Sequence, residues 1–347
     1  MINCALHTLQ ENASIKEGLE RLNAVNGNAV FIVNSEEKVV GTITDGDIRR
    51  GLIQGRLLSD PIHDVMHTNF RFIKLEHYSI TTIDKIKEQL IGLLPVLDEN
   101  GKLVKLLDLK KLRTVLPVEV LLMAGGRGER LRPLTDETPK PMLRVGSKPI
   151  IEHNIDRLAL YGVERIHISV KYKADCIINH FGDGSEKGLN INYVREDEPL
   201  GTLGAARLID EIESPAILVM NSDLLTNIDF EDFYRVFEES NADMIVACTS
   251  YRVDIPFGVL ETSGNKIISL KEKPSYNYFL NAGIYLIKKE VLQRIEKGKF
   301  YNATDLLDEL LAEGKKVLNY PIVHYWLDIG NPDDFKKAQE DIKQIHF

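Results

Sequence analysis

The sequence predicts an α/β protein in two parts. A small α/β unit, repeated once, occupies about residues 1–116, and a mixed, mostly parallel sheet with helices on both faces occupies 117–347. Three observations predict this. The order helix, strand, turn, strand occurs twice in units of about 60 residues, the mark of an internal repeat. Beyond Pro117, short apolar runs alternate with amphipathic stretches, as strands do when both sheet faces are covered. A stretch dense in glycine and arginine follows the first of those strands directly, at the strand end where such sheets hold ligands.

The first repeat (about 1–58) opens with residues 14–25, which carry Ile15, Leu19, Leu22 and Val25 at helical spacing. A strand at 28–34, a turn at 35–37 and a strand at 38–43 follow, and Thr44 opens a capped helix over 44–52. The second repeat (about 59–116) gives a helix at 79–90, strands at 93–98 and 102–107 about a D-E-N-G turn, and a closing helix from Asp108 to Leu112. In the second half, strands are expected at 118–124, 165–172, 191–196 and 216–223. Helices are expected at 148–162, 174–182 and 203–212.

At 347 residues the chain is long enough for two domains. A net charge of −9 excludes a general nucleic-acid or anionic-membrane surface. It does not exclude a small polyphosphate, which needs only a local group of cations. Cys4, Cys176 and Cys248 have no metal-ligand spacing and read as thiols of a reducing compartment. The N-terminus lacks the basic and apolar regions of a signal peptide, and no apolar run approaches a membrane span. A cytoplasmic protein with neither nucleic acid nor membrane as partner is expected.

The glycine-rich stretch is Gly125-Gly126-Arg127-Gly128-Glu129-Arg130-Leu131. A dinucleotide fingerprint would need a third glycine where Leu131 stands, and a Walker loop would need a glycine followed five residues later by Gly-Lys. What remains is a loop whose bare backbone can approach a nucleotide's base and phosphates. Arg130 and Lys140 then supply charge to a triphosphate.

G-G-x-G-x-R-L-x-P-L-T-x-x-x-P-K-P-M resembles the signature of sugar-1-phosphate nucleotidyltransferases, and the resemblance covers about residues 117–347. Further landmarks follow in family order. Pro199 to Ala206 resembles the base-contacting loop. Asn221-Ser222-Asp223 and Trp326-Leu327-Asp328 resemble the stretches that carry the two metal-binding aspartates. Phe257-Gly258-Val259, Glu272-Lys273-Pro274 and Asn281-Ala282-Gly283 are similar to the sugar-contacting segments. The resemblance implies a Rossmann-like nucleotidyltransferase domain. It implies nucleotide contacts from Leu122, Ala124, Gly125, Gly126, Gly128, Leu200, Gly201, Thr202 and Ser222, and sugar contacts from Gly258, Glu272, Asn281 and Gly283. Arg130, Lys140 and Lys273 would be the catalytic cations, and Asp223 and Asp328 would hold Mg²⁺.

Residues 1–116 resemble a cystathionine-β-synthase (CBS) domain pair. Thr44, Asp45 and Asp47 match that family's nucleotide-contacting segment, so a regulatory nucleotide and a homo-oligomer are implied. The second repeat departs from the pattern, with Asp108 in place of the threonine and Lys111 in place of the aspartate. The implied reaction joins an NTP and a sugar 1-phosphate into an NDP-sugar and pyrophosphate. The closest look is to the glucosamine-1-phosphate guanylyltransferases of bacterial legionaminic acid biosynthesis, so GTP and glucosamine 1-phosphate are the first choice. Mannose- or heptose-1-phosphate with GTP comes next, then UTP- or dTTP-using enzymes. A regulatory nucleotide sensor is the alternative of another class.

Overall fold

A computed structural model describes residues 2–25, 29–74 and 80–345. The expected element starts at Asn28 and Ser79 lie outside the described residues. The chain divides into two compact units. One is Met1–Pro117 with Ala159–Glu164 and Gly184–Asn190, and the other is Val118–Leu158 with Arg165–Asp183 and Ile191–Phe347.

The internal repeat of the first unit is a repeat of topology. Strands Thr8–Gln10, Val30–Val33 and Val39–Ile43 form one three-stranded sheet, and Ile73–Lys74, Leu93–Leu97 and Leu103–Asp108 form another. In each sheet the first pair is parallel and the second antiparallel, with a register shift near its end. The helix Ile15–Ala24 begins at a capping box. Ser14 Oγ accepts from the Glu17 N–H at 3.2 Å, and Glu17 accepts from the Ser14 N–H at 2.7 Å. Its apolar stripe packs with Ile32 and Ile43, while Ile83, Leu94 and Leu107 fill the second repeat. Each such fully buried side chain contributes about 1.5–3 kcal/mol.

The closing helix expected from Asp108 to Leu112 is absent. Lys111 and Leu112 both donate to the Asp108 carbonyl, which makes one turn and no more. Beyond it the chain is drawn out because Val115 and Leu116 are buried, and Arg113 and Leu116 donate to the carbonyls of Leu160 and Tyr161.

The second unit is built on a seven-stranded sheet. Its order is Asn190–Arg195, Arg165–Val170, Val118–Met123, Ala216–Asn221, Ser275–Lys288, Met244–Asp254, Val317–Pro321. Val118–Met123 is parallel to both neighbours, Met244–Asp254 is parallel to Val317–Pro321, and Ser275–Lys288 runs against both of its neighbours. The strand Val118–Met123, third in that order, is buried from Val118 to Leu122, as a strand covered on both faces must be. The helix expected at 203–212 is instead two short pieces, Gly201–Gly204 and a 3₁₀ turn Ala205–Leu208. Gly201 (φ +73°) and Gly204 lie against the carbonyls of Tyr301 and Lys299, so close that an added Cβ would sit 2.6 and 2.4 Å from those oxygens. That packing fixes the backbone before a longer helix can form.

Two strands outrun the sheet. Met244–Asp254 and Ser275–Lys288 stay paired out to Asp254 and Ser275, and the hairpin Val259–Ser263 with Lys266–Lys271 lies between them in sequence.

Candidate active site

The glycine-rich turn leaves the carboxyl end of the strand Val118–Met123. Gly128 holds φ +65°, a left-handed conformation that glycine adopts without strain, and an added Cβ there would meet Lys140 Cβ at 2.8 Å. Thr135 Oγ1 donates to the Gly128 carbonyl at 2.9 Å and closes the loop. The turn therefore sets the stem of Lys140, a residue buried at 8% exposure.

The Lys140 ammonium donates to Asp223 and stands 3.8 Å from Asp328 Oδ1. Strand pairing brings these carboxylates together across 105 residues of sequence. Leu224–Thr226 pairs antiparallel with Trp326–Asp328, Leu224 lies opposite Asp328, and the Ile329 N–H donates to the Asp223 carbonyl at 3.2 Å. One oxygen of each carboxylate, Asp223 Oδ1 and Asp328 Oδ1, is buried without a hydrogen bond. Burial, with Asp223 beside it, holds the Asp328 carboxyl above its ordinary range against the pull of Lys140 and Arg130. The Arg130 guanidinium lies alongside Gly330, 3.5 Å from where its Cβ would be. Two carboxylate oxygens lacking donors and facing one lysine fit a hard divalent cation, which takes one or two carboxylates plus substrate phosphates.

Beside this cluster a pocket of about 560 Å³ is lined by Gly125, Gly126, Arg127, Lys171 and Glu196 among others. Gly126 has open space where a side chain would be, whereas a Cβ on Gly125 would lie 2.9 Å from Glu196 Oε1. Glu196 itself is held fast: Ser169 Oγ donates to one carboxylate oxygen and the Leu200 N–H donates to the other at 2.9 Å. Gly201 also lines this pocket, whereas Leu122, Ala124 and Leu200 are buried and not among its lining residues.

Several expected site side chains are committed elsewhere. Ser222 Oγ donates to the Met123 carbonyl at 2.6 Å, and Thr202 Oγ1 accepts from the Ala303 N–H at 2.6 Å. Asn281 accepts from the Gly283 N–H at 3.0 Å and donates to Tyr285 Oη at 2.8 Å, bracing the bulge between Val246 and Cys248. Gly283 is in the left-handed region, with Asn221 Nδ2 2.5 Å from where its Cβ would be. Glu272 and Lys273 are exposed in the bend between Lys271 and Ser275, with Glu272 Oε2 beside Gly258.

In the first unit, Asp47 accepts from the Thr44 N–H and Oγ1 at 2.8 and 2.6 Å and pairs with Arg50 at 2.6 Å, so it serves as a helix cap. Thr44 lines a cleft of about 510 Å³ with Phe31, His67, Arg71 and Lys110. Asp45 lines a different surface with Leu19 and Ile48. Glu196 is the site residue that sequence reasoning missed. Its only signal is an acidic residue at a strand end just ahead of the Pro-Leu-Gly turn.

A pocket at the carboxyl edge of an α/β sheet, with glycines on one wall and cations on another, defines a nucleotide-binding domain. Comparison with known proteins narrows the class. The nucleotidyl transferase family matches residues 119–345 and the CBS domain family matches residues 2–54. The chain belongs to the nucleotidyl transferase family and carries a CBS domain at its N-terminus. It is 32% identical to mannose-1-phosphate guanylyltransferase of Mycobacterium tuberculosis over 65% of this chain and 64% of that one. It is 29% identical to D-glycero-alpha-D-manno-heptose 1-phosphate guanylyltransferase of Aneurinibacillus thermoaerophilus over 65% of this chain and 99% of that one. The chain spans just under two thirds of the length of the mannose-1-phosphate relatives that it matches first. Among solved structures, HddC from Yersinia pseudotuberculosis complexed with GMP-PN superposes with a TM-score of 0.51, is 27% identical and covers 65% of this chain and 99% of its own. No helix among the described residues is long and apolar enough to cross a membrane.

Proposed function

We propose that the chain transfers a guanylyl group from GTP to a sugar 1-phosphate, glucosamine 1-phosphate ahead of mannose or heptose 1-phosphate, and releases pyrophosphate. The observation that carries the base assignment is Glu196. A carboxylate only accepts hydrogen bonds, and guanine presents adjacent N1–H and N2–H donors that one carboxylate can take together. Uracil and thymine offer a single N–H between two carbonyls, which would face the carboxylate unfavourably. Ser169 and the Leu200 N–H fix the orientation of Glu196, so little ordering remains when the base arrives. The guanylyltransferase names of the relatives agree with this choice.

An attacking sugar phosphate is already an anion, so no general base is required. The phosphate oxygen forms a bond to the α-phosphorus as the bond to the bridging oxygen breaks, and pyrophosphate leaves with the electron pair. Holding two polyanions together costs several kcal/mol even in a partly wet site. Arg130 and Lys140 would offset this at the triphosphate, and Lys273 at the sugar phosphate. Asp223 and Asp328 would hold a divalent cation, expected to be Mg²⁺, which supplies charge neutralisation at the α-phosphate when bound.

The test is pyrophosphate release across a matrix of NTPs and sugar 1-phosphates. GTP is expected to be consumed fastest, and nucleotide binding without release of pyrophosphate from any combination would favour the sensor. Glu196→Gln removes one acceptor and adds a donor at the guanine edge. The preference for GTP over UTP is expected to fall about 10- to 100-fold in kcat/KM, the worth of one hydrogen bond to a charged group. An unchanged preference would rule out this assignment.

The cleft of the first unit supports a nucleotide there, with Arg71 and Lys110 for phosphates. Lys110→Ala should weaken binding of a fluorescent adenine nucleotide to the full chain about tenfold, the cost of about one phosphate contact; equal affinity would refute the cleft as its site.

A further inference from the structure

Asp223 has a neighbour that the proposed chemistry does not use. Asn154 stands within the helix Ile150–Leu160 and is buried at 3% exposure. Its side-chain amide donates to the Leu224 carbonyl at 2.9 Å and to the Ser222 carbonyl at 3.4 Å. Both partners are carbonyls, which only accept, so the amide nitrogen is the end that faces them. They are the carbonyls immediately before and after Asp223. The carbonyl of Asp223 itself is taken by the Ile329 N–H at 3.2 Å. Three successive carbonyls are therefore bonded, from two different elements. Ser222 adds a third hold, because its N–H donates to the Met123 carbonyl at 3.2 Å.

Asparagine is a weak helix former and is seldom fully buried. A helix that needed only to pack would carry an apolar residue here, as this one does at Ile150, Ile151, Ile155 and Leu158. What asparagine supplies instead is one group with two donors, able to reach two carbonyls two residues apart. Arg157, three residues on and on the same helix face, donates to the Ile228 carbonyl farther along the same segment. The start of the helix is tied to the turn that carries Lys140. The Ile150 N–H donates to the Leu143 carbonyl at 3.0 Å, and the Leu143 N–H donates to the Lys140 carbonyl at 3.1 Å. One helix thus reaches the segments that carry both Asp223 and its lysine partner.

We infer that Asn154 is a positioning residue for the metal site, building on the proposed role of Asp223 as a ligand. By gripping the carbonyls on either side of Asp223, it points that carboxylate at the cation shared with Asp328. A carboxylate with one buried oxygen lacking a donor gains by swinging toward water, and a fixed backbone limits that swing. Groups that hold a metal ligand from behind typically change metal affinity or activity about 10- to 100-fold when removed.

Electron paramagnetic resonance of Mn²⁺ titrated into the full chain, which counts free metal even when binding is weak, tests this beside pyrophosphate release. Asn154→Leu keeps the branched shape and removes both donors. Mn²⁺ affinity is expected to fall about tenfold or more and kcat about 10- to 100-fold, with KM for the sugar 1-phosphate little changed. Asn154→Ser, which leaves room for water should the leucine variant not fold, should move both in the same direction. Ile155→Val trims the core of the same helix. It should lower the melting temperature and leave Mn²⁺ affinity alone, which separates positioning from packing. A folded Asn154 variant with wild-type Mn²⁺ affinity overturns the inference while the proposed metal site stands. So does an equal loss of affinity in Ile155→Val. A wild type that binds no Mn²⁺ overturns the metal site and this role of Asn154 with it.

Discussion

Replacing Asp223 by asparagine is expected to slow pyrophosphate release by about 10²–10³-fold while leaving the protein folded. The side chain keeps its shape, so the strand pairing of Leu224 with Asp328 and the backbone bond from Ile329 to the Asp223 carbonyl are untouched. What disappears is one of two half-buried negative charges. Lys140 retains Asp328 at 3.8 Å, which limits the cost of leaving the ammonium unpaired. The effect on Asp328 is separately measurable. Its carboxyl is held above the ordinary range first by burial and then by Asp223, so removing the neighbouring charge should let it ionise at lower pH. Carbon-13 titration of the Asp328 carboxyl reads that shift without reference to turnover. Near-normal turnover in this variant would sink the assignment of Asp223 as a metal ligand.

Lys140→Met should produce two changes of opposite sign. Turnover is expected to fall about 10²-fold, because the cation proposed to offset repulsion among the phosphates is gone. Affinity of the free protein for Mg²⁺ or Mn²⁺ should rise about tenfold or more, because the ammonium no longer occupies the space between Asp223 and Asp328. Unit charges about 4 Å apart near a protein surface interact by about 4 kcal/mol, so a discount of more than half still leaves a tenfold effect. Titration calorimetry with the metal alone and pyrophosphate release measured side by side check the pair. A variant that binds metal no better than wild type would show that lysine and metal do not compete.

Much of this was legible in the sequence, for identifiable reasons. The glycine-rich turn announced itself because left-handed backbone at Gly128 and open approach at Gly126 need glycine. Asp223 and Asp328 stand at strand ends within long motifs, so their pairing across 105 residues could be anticipated by resemblance although no spacing rule gives it. Glu196 could not be singled out. It is one of three acidic residues in Glu196-Asp197-Glu198, and only the three-dimensional position of Ser169 and the Leu200 N–H distinguishes it. Asp47 shows the opposite case. A carboxylate three residues into a helix can face a ligand or cap its own helix, and here the Thr44 N–H and hydroxyl take it. The closing helix at Asp108 failed because burial of Val115 and Leu116 overrides a capped start.

Lys140 also says something about the resting protein. A pocket evolved to receive a metal and a tetra-anionic nucleotide would be electrically lopsided while empty, with two carboxylates crowded at its floor. Lys140 is a resident counter-ion for Asp223 and Asp328. A metal held by the two aspartates, as proposed, would supply the charge that the ammonium now supplies and would leave Lys140 to the phosphates, so nucleotide and metal together would be favoured over either alone.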